Sequence, residues 1–483
     1  MHFVIKLFPE ITIKSTPVRK RFTQQLRTNL KQLCKRLSPD IVVVRDWEKL
    51  EVQGPSDPEL EAKISQILAH TPGIAFFYAV QAFEFETMHD IYERTAEIWG
   101  DQLAGKTFCV RVKRHGKQEF SSIDVERYVG GGLLEHFDSA GVKLKNSDVT
   151  VKMEIKDQQL FVVTREVPGL GGFPLGTQDA VLSLISGGFD STVASYLTTK
   201  RGLRTHYCFF NLGGRAHEVG CKEVAYYLWQ KYGASHLVKF VSVPFEGVVA
   251  EILTQVSQAN MGVILKRMML RAATDIAEQM NIQALVTGES VAQVSSQTLT
   301  NLSVIDQVTN TLVLRPLVTM DKGDIIDIAR AIGAEDFAAN MPEYCGVISK
   351  KPTTKAKMDR VVFEEERFDF SVLEAAISRA KTQSITEVLD VDDEVLADEF
   401  AYVPTDAVVL DIRHPNEQEA KPLQLHNTPI KLVPFYQLAN TVNQLDAKQQ
   451  YLLFCDQGVM SRLHASQLCE EGHTNIGVYR PGR

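Results

Sequence analysis

The stretch Val181-Leu-Ser-Leu-Ile-Ser-Gly-Gly-Phe-Asp-Ser-Thr192 determines most of what can be inferred about the fold of this chain. Its first residues are mainly apolar, which predicts a buried strand, and a helical pattern begins at Thr192. A glycine-rich turn that leads into a helix N-terminus directs several backbone N–H groups at one small volume, where a phosphate can bind. The spacing matches neither GxxxxGK[ST] nor GxGxxG, so it predicts a phosphate loop of another kind.

This turn resembles the SGGxDS signature of the PP-loop ATP pyrophosphatases, which cleave ATP between its α and β phosphates to adenylate a substrate. The resemblance implies ATP with Mg²⁺ as the cofactor. Asp190 would orient the metal or the attacking oxygen. An ordinary strand–turn–helix corner also needs glycine, but a match at every fixed position favours the nucleotide site. The residues of the signature, which would cradle the phosphates, are Ser186, Gly187, Gly188, Asp190 and Ser191.

Around this loop, residues 170–390 alternate between strand and helix patterns, which predicts a doubly wound parallel sheet. Ligands of such sheets bind at the carboxyl ends of the strands, so Gly187, Asn211 and Gly288 are expected to converge there. On a predicted helix over 263–279, Lys266, Arg267 and Arg271 could offset charge on the α-phosphate. A solvated helix face explains these cations equally well. A turn-rich stretch over 168–176 predicts a linker before the loop.

Composition predicts a large protein of several domains without a membrane span. The chain has 483 residues and 44% hydrophobic residues, and no apolar run is long enough to cross a bilayer. Its seven cysteines form no CxxC pair, so a structural metal site is not indicated and a reducing, cytoplasmic location is expected. The net charge is −8, yet residues 1–36 and 106–117 are rich in Lys and Arg. Two basic clusters favour nucleic acid over solvated faces alone.

The basic third of the chain divides into two small α+β segments. Residues 1–57 predict a ferredoxin-like domain, and a Gly-Pro-Ser-Asp-Pro boundary separates it from residues 58–166. In the second segment, the predicted strand over 107–113 and the following His115-Gly116-Lys117 resemble a THUMP domain, an RNA-binding module of tRNA-modifying enzymes. The resemblance implies tRNA as the partner of this region.

Cys455 is the second chemically informative residue. It follows a buried strand and precedes a glycine-containing loop and a helix that begins near Arg462, so we expect a stabilised thiolate and a lowered thiol pKa. A nucleophilic sulfur carrier needs these surroundings, although a lone cysteine can also be a buried structural residue. The loop, together with Leu410-Asp-Ile-Arg413 and Tyr479-Arg-Pro-Gly482, resembles a rhodanese domain, here over 403–483. The acidic stretch 364–400 is expected to be the linker before it.

Cys345 lies in a predicted loop, Met341-Pro-Glu-Tyr-Cys-Gly-Val-Ile348, between two prolines. From the residues alone, a buried small hydrophobe and a functional thiol are equally compatible with it.

The order of these four segments resembles the family of bacterial tRNA 4-thiouridine synthases. The resemblance implies adenylation of a tRNA uridine, at position 8, on O4 and its conversion to 4-thiouridine. It further implies that Cys455 carries a persulfide received from a cysteine desulfurase. Cys345 would form a transient disulfide with it that needs a reductant, and a sulfur-carrier protein of thiamine synthesis would be a further acceptor. The family positions that contact ATP match Leu184, Ile185, Lys266, Gly288 and Gln297.

Several alternatives stay open at this point. The persulfide could attack C4 directly, or Cys345 could first release hydrosulfide from it. An amide-forming or lysidine-type PP-loop ligase, or a non-catalytic RNA-binding protein, would also carry some of these motifs. A homodimer is one possible assembly, and no membrane partner is expected.

Overall fold

The architecture was analysed in a computed structural model of the chain. The structure describes all residues except 47, 48, 117, 213, 214, 340, 342–350, 390–396, 414, 426, 427, 435–437, 439, 440, 443, 457, 458, 482 and 483. The chain forms two compact units. One comprises Met1–Gln178 with Lys200–Gly202, and the other comprises Asp179–Thr199 with Leu203–Arg483.

The first unit contains an eight-stranded sheet in the order β2-β3-β1-β4-β8-β7-β5-β6. Strands β5, β6 and β7 pair in parallel, and the other neighbours pair antiparallel. Its strands are β1 His2–Leu7, β2 Val42–Asp46, β3 Lys49–Gln53, β4 Ile74–Glu84, β5 Thr107–His115, β6 Gly141–Val142, β7 Val149–Lys156 and β8 Gln159–Gly171. Its helices are α1 Pro9–Thr12, α2 Thr16–Lys35, α3 Pro58–His70, α4 Met88–Trp99 and α5 Ser122–His136.

Strand β4 joins the two halves of this sheet, because it pairs with β1 on one side and β8 on the other. One core lies under α2 and α3, and a second lies under α4 and α5. Both α4 and α5 begin with a capping box that satisfies exposed backbone N–H groups, formed by Thr87 with Asp90 and by Ser121 with Asp124. The predicted linker over 168–176 is wrong in its first part, since β8 continues through Gly171 as a partner of β4.

Most basic residues of helix α2 and of strand β5 lie on outward-facing positions. Helix α2 buries Phe22, Leu26 and Leu30 at helical spacing, which leaves its cationic residues on the opposite face. Along β5, Arg111 and Lys113 alternate with more buried residues, as expected for a strand with one solvated face. The charge therefore lies where a polyanion could reach it.

The second unit begins with a six-stranded sheet in the order β13-β12-β9-β10-β11-β14. All pairs are parallel except that of β14 with β11. Its strands are β9 Ala180–Leu184, β10 Arg204–Asn211, β11 Lys239–Pro244, β12 Ala284–Val286, β13 Leu312–Leu314 and β14 Lys381–Ser384. Its helices are α6 Phe189–Lys200, α7 Arg215–Leu228, α8 Glu246–Gln255, α9 Met261–Gln279, α10 Leu299–Asp306, α11 Lys322–Ala331, α12 Glu335–Ala339, α13 Met358–Glu365 and α14 Ser371–Ser378.

Strand β9 is covered on both faces, as a central strand of a doubly wound sheet should be. Val181 packs in the cluster on one face and Leu182 in the larger cluster on the other. The chain adds β10 and β11 on one side of β9 and then returns to add β12 and β13 on the other. The order reverses between β9 and β12, which is where such sheets bind ligands.

The acidic stretch is not a linker over its first part, contrary to the sequence expectation. Residues 358–389 contain α13, α14 and β14, and β14 closes the edge of the sheet beside β11. Glu364 and Glu365, two of the acidic residues on which the linker expectation depended, are buried against partners in the same unit. Of the remaining stretch, residues 390–396 lie outside the described part.

The end of the chain forms a five-stranded parallel sheet in the order β15-β19-β18-β16-β17. Its strands are β15 Glu399–Phe400, β16 Val408–Asp411, β17 Ile430–Leu432, β18 Tyr451–Phe454 and β19 Ile476–Tyr479, with the helices α15 Pro415–Ala420 and α16 Val459–Glu470. In this sheet the order reverses between β16 and β18. Across the described part of the chain, every helix is too short or too polar to span a bilayer.

Candidate active site

The nucleotide loop follows β9 and is closed by Ser191. The Ser191 hydroxyl accepts from the backbone N–H of Ser186 at 3.1 Å, and its oxygen lies 3.2 Å from the carbonyl of Gly188, to which it donates. Gly187 has a φ of +81°, a conformation that favours glycine. Helix α6 begins at Phe189, one turn earlier than predicted, so its N-terminal N–H groups belong to the loop itself. The arrangement suits an anion.

Gly288, at the end of β12, lies against the start of α6. A Cβ atom at this position would come within 2.5 Å of the Asp190 carbonyl carbon and 2.6 Å of the Ser191 nitrogen. Only glycine therefore lets the two strand ends approach this closely. Of the predicted convergence of Gly187, Asn211 and Gly288, the structure shows the glycine loop and Gly288 together at the switch point between β9 and β12. Asn211, at the end of β10, instead donates to Glu218 of α7 at 3.1 Å.

Asp190 is held by two side chains that the sequence reasoning missed. Lys322 Nζ lies 2.7 Å from Oδ1, and Gln293 Nε2 donates to Oδ2 at 2.7 Å. Lys322 begins α11, which follows β13, and its side chain is 43% exposed. The strand β13 was not predicted. Without it, the sequence did not indicate that the segment after this strand, which contains Lys322, returns to the same edge of the sheet.

Lys266 lies in a chain of charges beside Gly288. Its Nζ is 2.7 Å from Glu289 Oε1, and Arg315 donates to the other oxygen of Glu289 at 2.8 Å and to Asp306 at 2.5 Å. Burial alone would raise the pKa of Glu289, but the two cations more than offset this and hold the pKa at about 2. Lys266 is thus kept near the loop by an ionised carboxylate.

Arg267 and Arg271 do not face the nucleotide loop, which corrects the expectation that they offset phosphate charge. Arg267 is 2% exposed and donates to both oxygens of Glu365 at 2.7 Å, and Arg271 joins the same carboxylate at 3.2 Å. These cations hold α13 against α9. The sequence could not show this, because Glu365 is distant in the chain and lies in the stretch read as a linker.

The other expected ATP contacts are near the loop. Leu184 and Ile185 directly precede it, and Ile185 is buried. Gln297 lies in a short 3-10 turn and is 8% exposed; its Oε1 is buried without a hydrogen-bond partner among the described residues. A buried amide oxygen in this state is well suited to accept from a ligand.

Cys455 directly follows β18 and is 8% exposed. The backbone N–H of Ser461 lies 3.4 Å from Sγ, and the Ser461 hydroxyl lies at the same distance. Ser461 is in the first turn of α16, so the helix N-terminus faces the sulfur. A negative sulfur, as a thiolate or persulfide, would be stabilised there.

A buried ion pair supports this cysteine loop. Arg413 donates to both oxygens of the fully buried Asp411, at 2.9 and 2.6 Å, and also to Asp456 at 3.0 Å. Asp456 directly follows Cys455. The motif Leu410-Asp-Ile-Arg413, which ends the neighbouring strand, therefore positions the cysteine loop. Its sequence alone did not reveal this role.

The expectation for Cys345 cannot be placed in this geometry, because Cys345 lies outside the described residues. Among the residues that the structure describes, no cluster of three or more His, Cys, Asp or Glu side chains is arranged to hold a metal ion.

The chain was compared with known proteins. The family model Thiamine biosynthesis protein (ThiI) matches residues 176–370, and the THUMP domain model matches residues 85–165. A tRNA sulfurtransferase of Saccharophagus degradans is 57% identical over 483 residues, with 100% of both chains covered. One from Shewanella piezotolerans is 54% identical over 484 residues, again with 100% of both chains covered.

A solved structure has a similar fold. It is described as a 4-thiouridine synthetase–RNA complex with bound ATP, and its TM-score against this chain is 0.70 at 24% identity. The match covers 79% of this chain and 99% of that one. It supports a mixed α/β architecture with THUMP and PP-loop domains.

The relatives match this chain from end to end at 54% and 57% identity, and the loop, Asp190 and Gly288 lie together at the switch point of the sheet. This chain is a member of the tRNA sulfurtransferase family of enzymes.

Proposed function

We propose that this protein uses ATP to adenylate a tRNA uridine, at position 8, on O4 and then replaces that oxygen with sulfur to give 4-thiouridine. The observation that carries the proposal is that one chain holds both a glycine loop at a sheet switch point and Cys455 at a second switch point. Each of these serves half of the reaction. The C-terminal parallel sheet would then be a rhodanese-like domain and residues 1–57 a ferredoxin-like domain.

The nucleotide site would prepare the uracil for displacement, because oxide is a poor leaving group. The backbone N–H groups at the start of α6 would bind phosphate oxygens of ATP, with Lys322 and Lys266 supplying positive charge. The uracil O4 attacks the α-phosphate, and pyrophosphate leaves with the electron pair of the broken P–O bond. Mg²⁺ bound to the phosphates would screen their charge, and Asp190 is the carboxylate closest to the loop that could help hold it.

The sulfur step would use Cys455 as its persulfide. In one route the terminal sulfur attacks C4 and AMP leaves; Cys345 then attacks Sγ of Cys455, which gives the thiocarbonyl and a Cys345–Cys455 disulfide. In the other, Cys345 first expels hydrosulfide, which attacks C4. Both routes end in the same disulfide, and a thiol reductant must return two electrons before the next cycle. The part assigned to Cys345 depends on the family resemblance.

RNA would bind the first unit. The exposed cations of α2 and the outward positions of β5 form charged surfaces of the kind that contact phosphates. A similar fold occurs in a structure solved with RNA and ATP, which supports tRNA and ATP as ligands here.

The remaining partners follow from the same proposal. A cysteine desulfurase would load Cys455, and a sulfur-carrier protein of thiamine synthesis would be a second acceptor of this sulfur. All of these reactions need reduced thiols, so the cytoplasm is the expected location.

The test combines purified protein, unmodified tRNA, ATP, Mg²⁺ and a desulfurase with cysteine. We expect 4-thiouridine in the digested tRNA and one AMP for each uridine converted. ATP turnover that is indifferent to the sulfur donor and leaves no thiolated nucleoside would instead support the ligase alternative. Absence of any ATP cleavage with tRNA would refute the proposal.

A further inference from the structure

Helix α7 of the nucleotide-binding domain touches the C-terminal domain through a buried pair of ionisable groups. His464 Nε2, on α16, lies 2.5 Å from Glu223 Oε1, on α7. Glu223 is 4% exposed and His464 is largely buried. Burial alone would lower the pKa of His464, but the Glu223 carboxylate more than offsets this and raises it, which favours the charged imidazolium beside this carboxylate. Neither residue has a part in the chemistry described above.

A second C-terminal helix faces the same region. Glu417, on α15, acts electrostatically on Tyr227 of α7 and on Lys231 of the π-helical turn Trp229–Gly233 that follows. Burial lowers the pKa of Lys231 to about 8, and the Glu417 carboxylate acts in the opposite direction. One helix of the C-terminal domain therefore contacts α7 directly, and a carboxylate on the other lies within electrostatic range of α7 and of the turn that follows it.

Both of these C-terminal helices are tied to the cysteine loop. On α16, Ser461 contacts Cys455 and lies three residues before His464, about 4.5 Å along the helix axis. On α15, Gln418 donates to the carbonyls of Asp411 and Arg413, and Arg413 holds Asp456. The position of the sulfur loop is thus fixed relative to the residues that contact α7.

The same α7 is tied to the nucleotide loop at its other end. His217, in its first turn, lies with Nε2 3.1 Å from the carbonyl oxygen of Ser186. Glu223 follows six residues later, about 9 Å along the helix. One rigid helix thus connects the loop that would bind ATP with the contact that holds the sulfur-bearing domain.

We propose that the face of α7 formed by Glu223 and Tyr227 is the docking surface for the C-terminal domain during sulfur transfer, with the His464–Glu223 ion pair as its anchor. The inference deepens the proposed function and depends on it for the identity of the transferred group. Docking on this helix holds the Cys455 loop in a set position relative to the nucleotide loop. Loss of the anchor frees the domain without altering either reaction centre.

The experiment compares the parent protein with Glu223→Gln and His464→Gln in the full chain. Amide hydrogen exchange across α7 and α16 reports docking, and 4-thiouridine formed per persulfide-loaded Cys455 reports transfer. We expect exchange in both helices to accelerate at least tenfold and transfer to slow at least tenfold. Persulfide loading by a desulfurase and adenylation of tRNA, measured as the first pyrophosphate released per tRNA, should each stay within twofold of the parent.

Control variants distinguish a loss of docking from a loss of folding. Glu399→Gln removes a carboxylate that contacts Arg462 of the same α16 at 3.7 Å, but from within the C-terminal domain, and should leave exchange in α7 unchanged. If a single variant unfolds the domain, the double variant with both glutamines, which leaves no unpaired charge buried, gives the same test.

Unchanged exchange in α7, or faster exchange with undiminished transfer, would overturn the inference. If the parent itself forms no 4-thiouridine, the proposed function fails, whereas the exchange measurement still decides whether this surface holds the domain.

Discussion

The nucleotide loop and the Cys455 loop each lie at the switch point of a sheet but differ in how exposed their charged groups are. At the first, Lys322 and Lys266 are partly exposed, so their charge can reach a ligand from solvent. At the second, Asp411 and Arg413 are almost completely buried and their charges cancel within the protein. A site for a polyanion needs available cations, whereas a site that carries one sulfur atom needs a fixed backbone. The comparison predicts that the two sites can be disabled separately.

The largest effects are expected when one functional side chain is removed from each site, which tests whether the two sites can be disabled separately. Cys455→Ala should reduce 4-thiouridine formation by at least about a hundredfold while adenylation of tRNA, measured as the first pyrophosphate released per tRNA, continues. In Asp190→Ala the desulfurase should still load Cys455, but adenylation should fall by a similar factor. Mass analysis of the Cys455 peptide and an assay of pyrophosphate give the two readouts. Loss of both activities in either variant would refute the separation.

Gly288→Ala tests whether the nucleotide site needs the close approach that only glycine allows at this position. The added Cβ would come within 2.5 Å of the Asp190 backbone, so the start of α6 must move. A displacement of about 1 Å can lower a rate about a hundredfold, and we expect AMP formation to fall by between about ten- and a hundredfold. The matched control is Gly262→Ala, where a Cβ meets nothing within 4 Å. Equal effects in the two variants would contradict the steric account.

Arg413→Ala tests the support of the cysteine loop. It leaves Asp411 buried without its partner, and breaking such a pair costs about 3–5 kcal/mol. We expect the C-terminal domain to unfold at lower temperature and the loading of Cys455 to fall, while adenylation of tRNA, measured as released pyrophosphate, persists. Calorimetry and the loading assay measure these effects. A domain of unchanged stability would show that the pair is not structural.

Arg267→Met tests whether this cation is structural, as its geometry indicates. The variant leaves Glu365 buried with Arg271 alone, so the free energy of unfolding should fall by up to about 3–5 kcal/mol. The KM for ATP should not change, because Arg267 faces α13 and not the loop. Lys266→Met is the contrasting variant and should raise that KM. A raised KM in Arg267→Met would restore the interpretation made from sequence.

The smallest expected effect is on acid stability. Glu289 has a pKa of about 2 in the folded protein, below its ordinary value of about 4.5. A lowered carboxyl pKa stabilises the fold above the ordinary value, and this contribution is lost as the pH falls from about 4.5 towards 2. Glu289→Gln should therefore make stability less dependent on pH in that range. Denaturant unfolding of the parent and the variant at several pH values measures this difference. An equal dependence of the unfolding free energy on pH in the two proteins would contradict the lowered pKa of Glu289.

Much of the fold could be predicted because its signals are local. The apolar run of β9, the glycines after it and the amphipathic α2 each identify their own structure. The strand end at Cys455 was predicted for the same reason. Periodicity and turn residues within a short window carry this information, so nothing distant in the chain was needed.

The contacts that were missed join residues far apart in the sequence. Glu365 looks like part of an acidic surface until α9 brings Arg267 beside it. Lys322 looks like an ordinary surface lysine because the three-residue strand β13 before it is too short to give a clear pattern. A glutamate that pairs with a distant arginine in the core and a glutamate in solvent are the same residue in the sequence. Only the residues that the fold places beside each of them distinguish the two.

The division of the reaction between two centres is tested most directly by the transfer of radiolabel from [α-³²P]ATP to tRNA in the Cys455→Ala variant. If one centre activates the uridine and the other supplies the sulfur, this variant should accumulate tRNA that carries labelled AMP, whereas the parent with a desulfurase should release the label as free AMP. Unlabelled tRNA in the variant, with ATP uncleaved, would contradict the account.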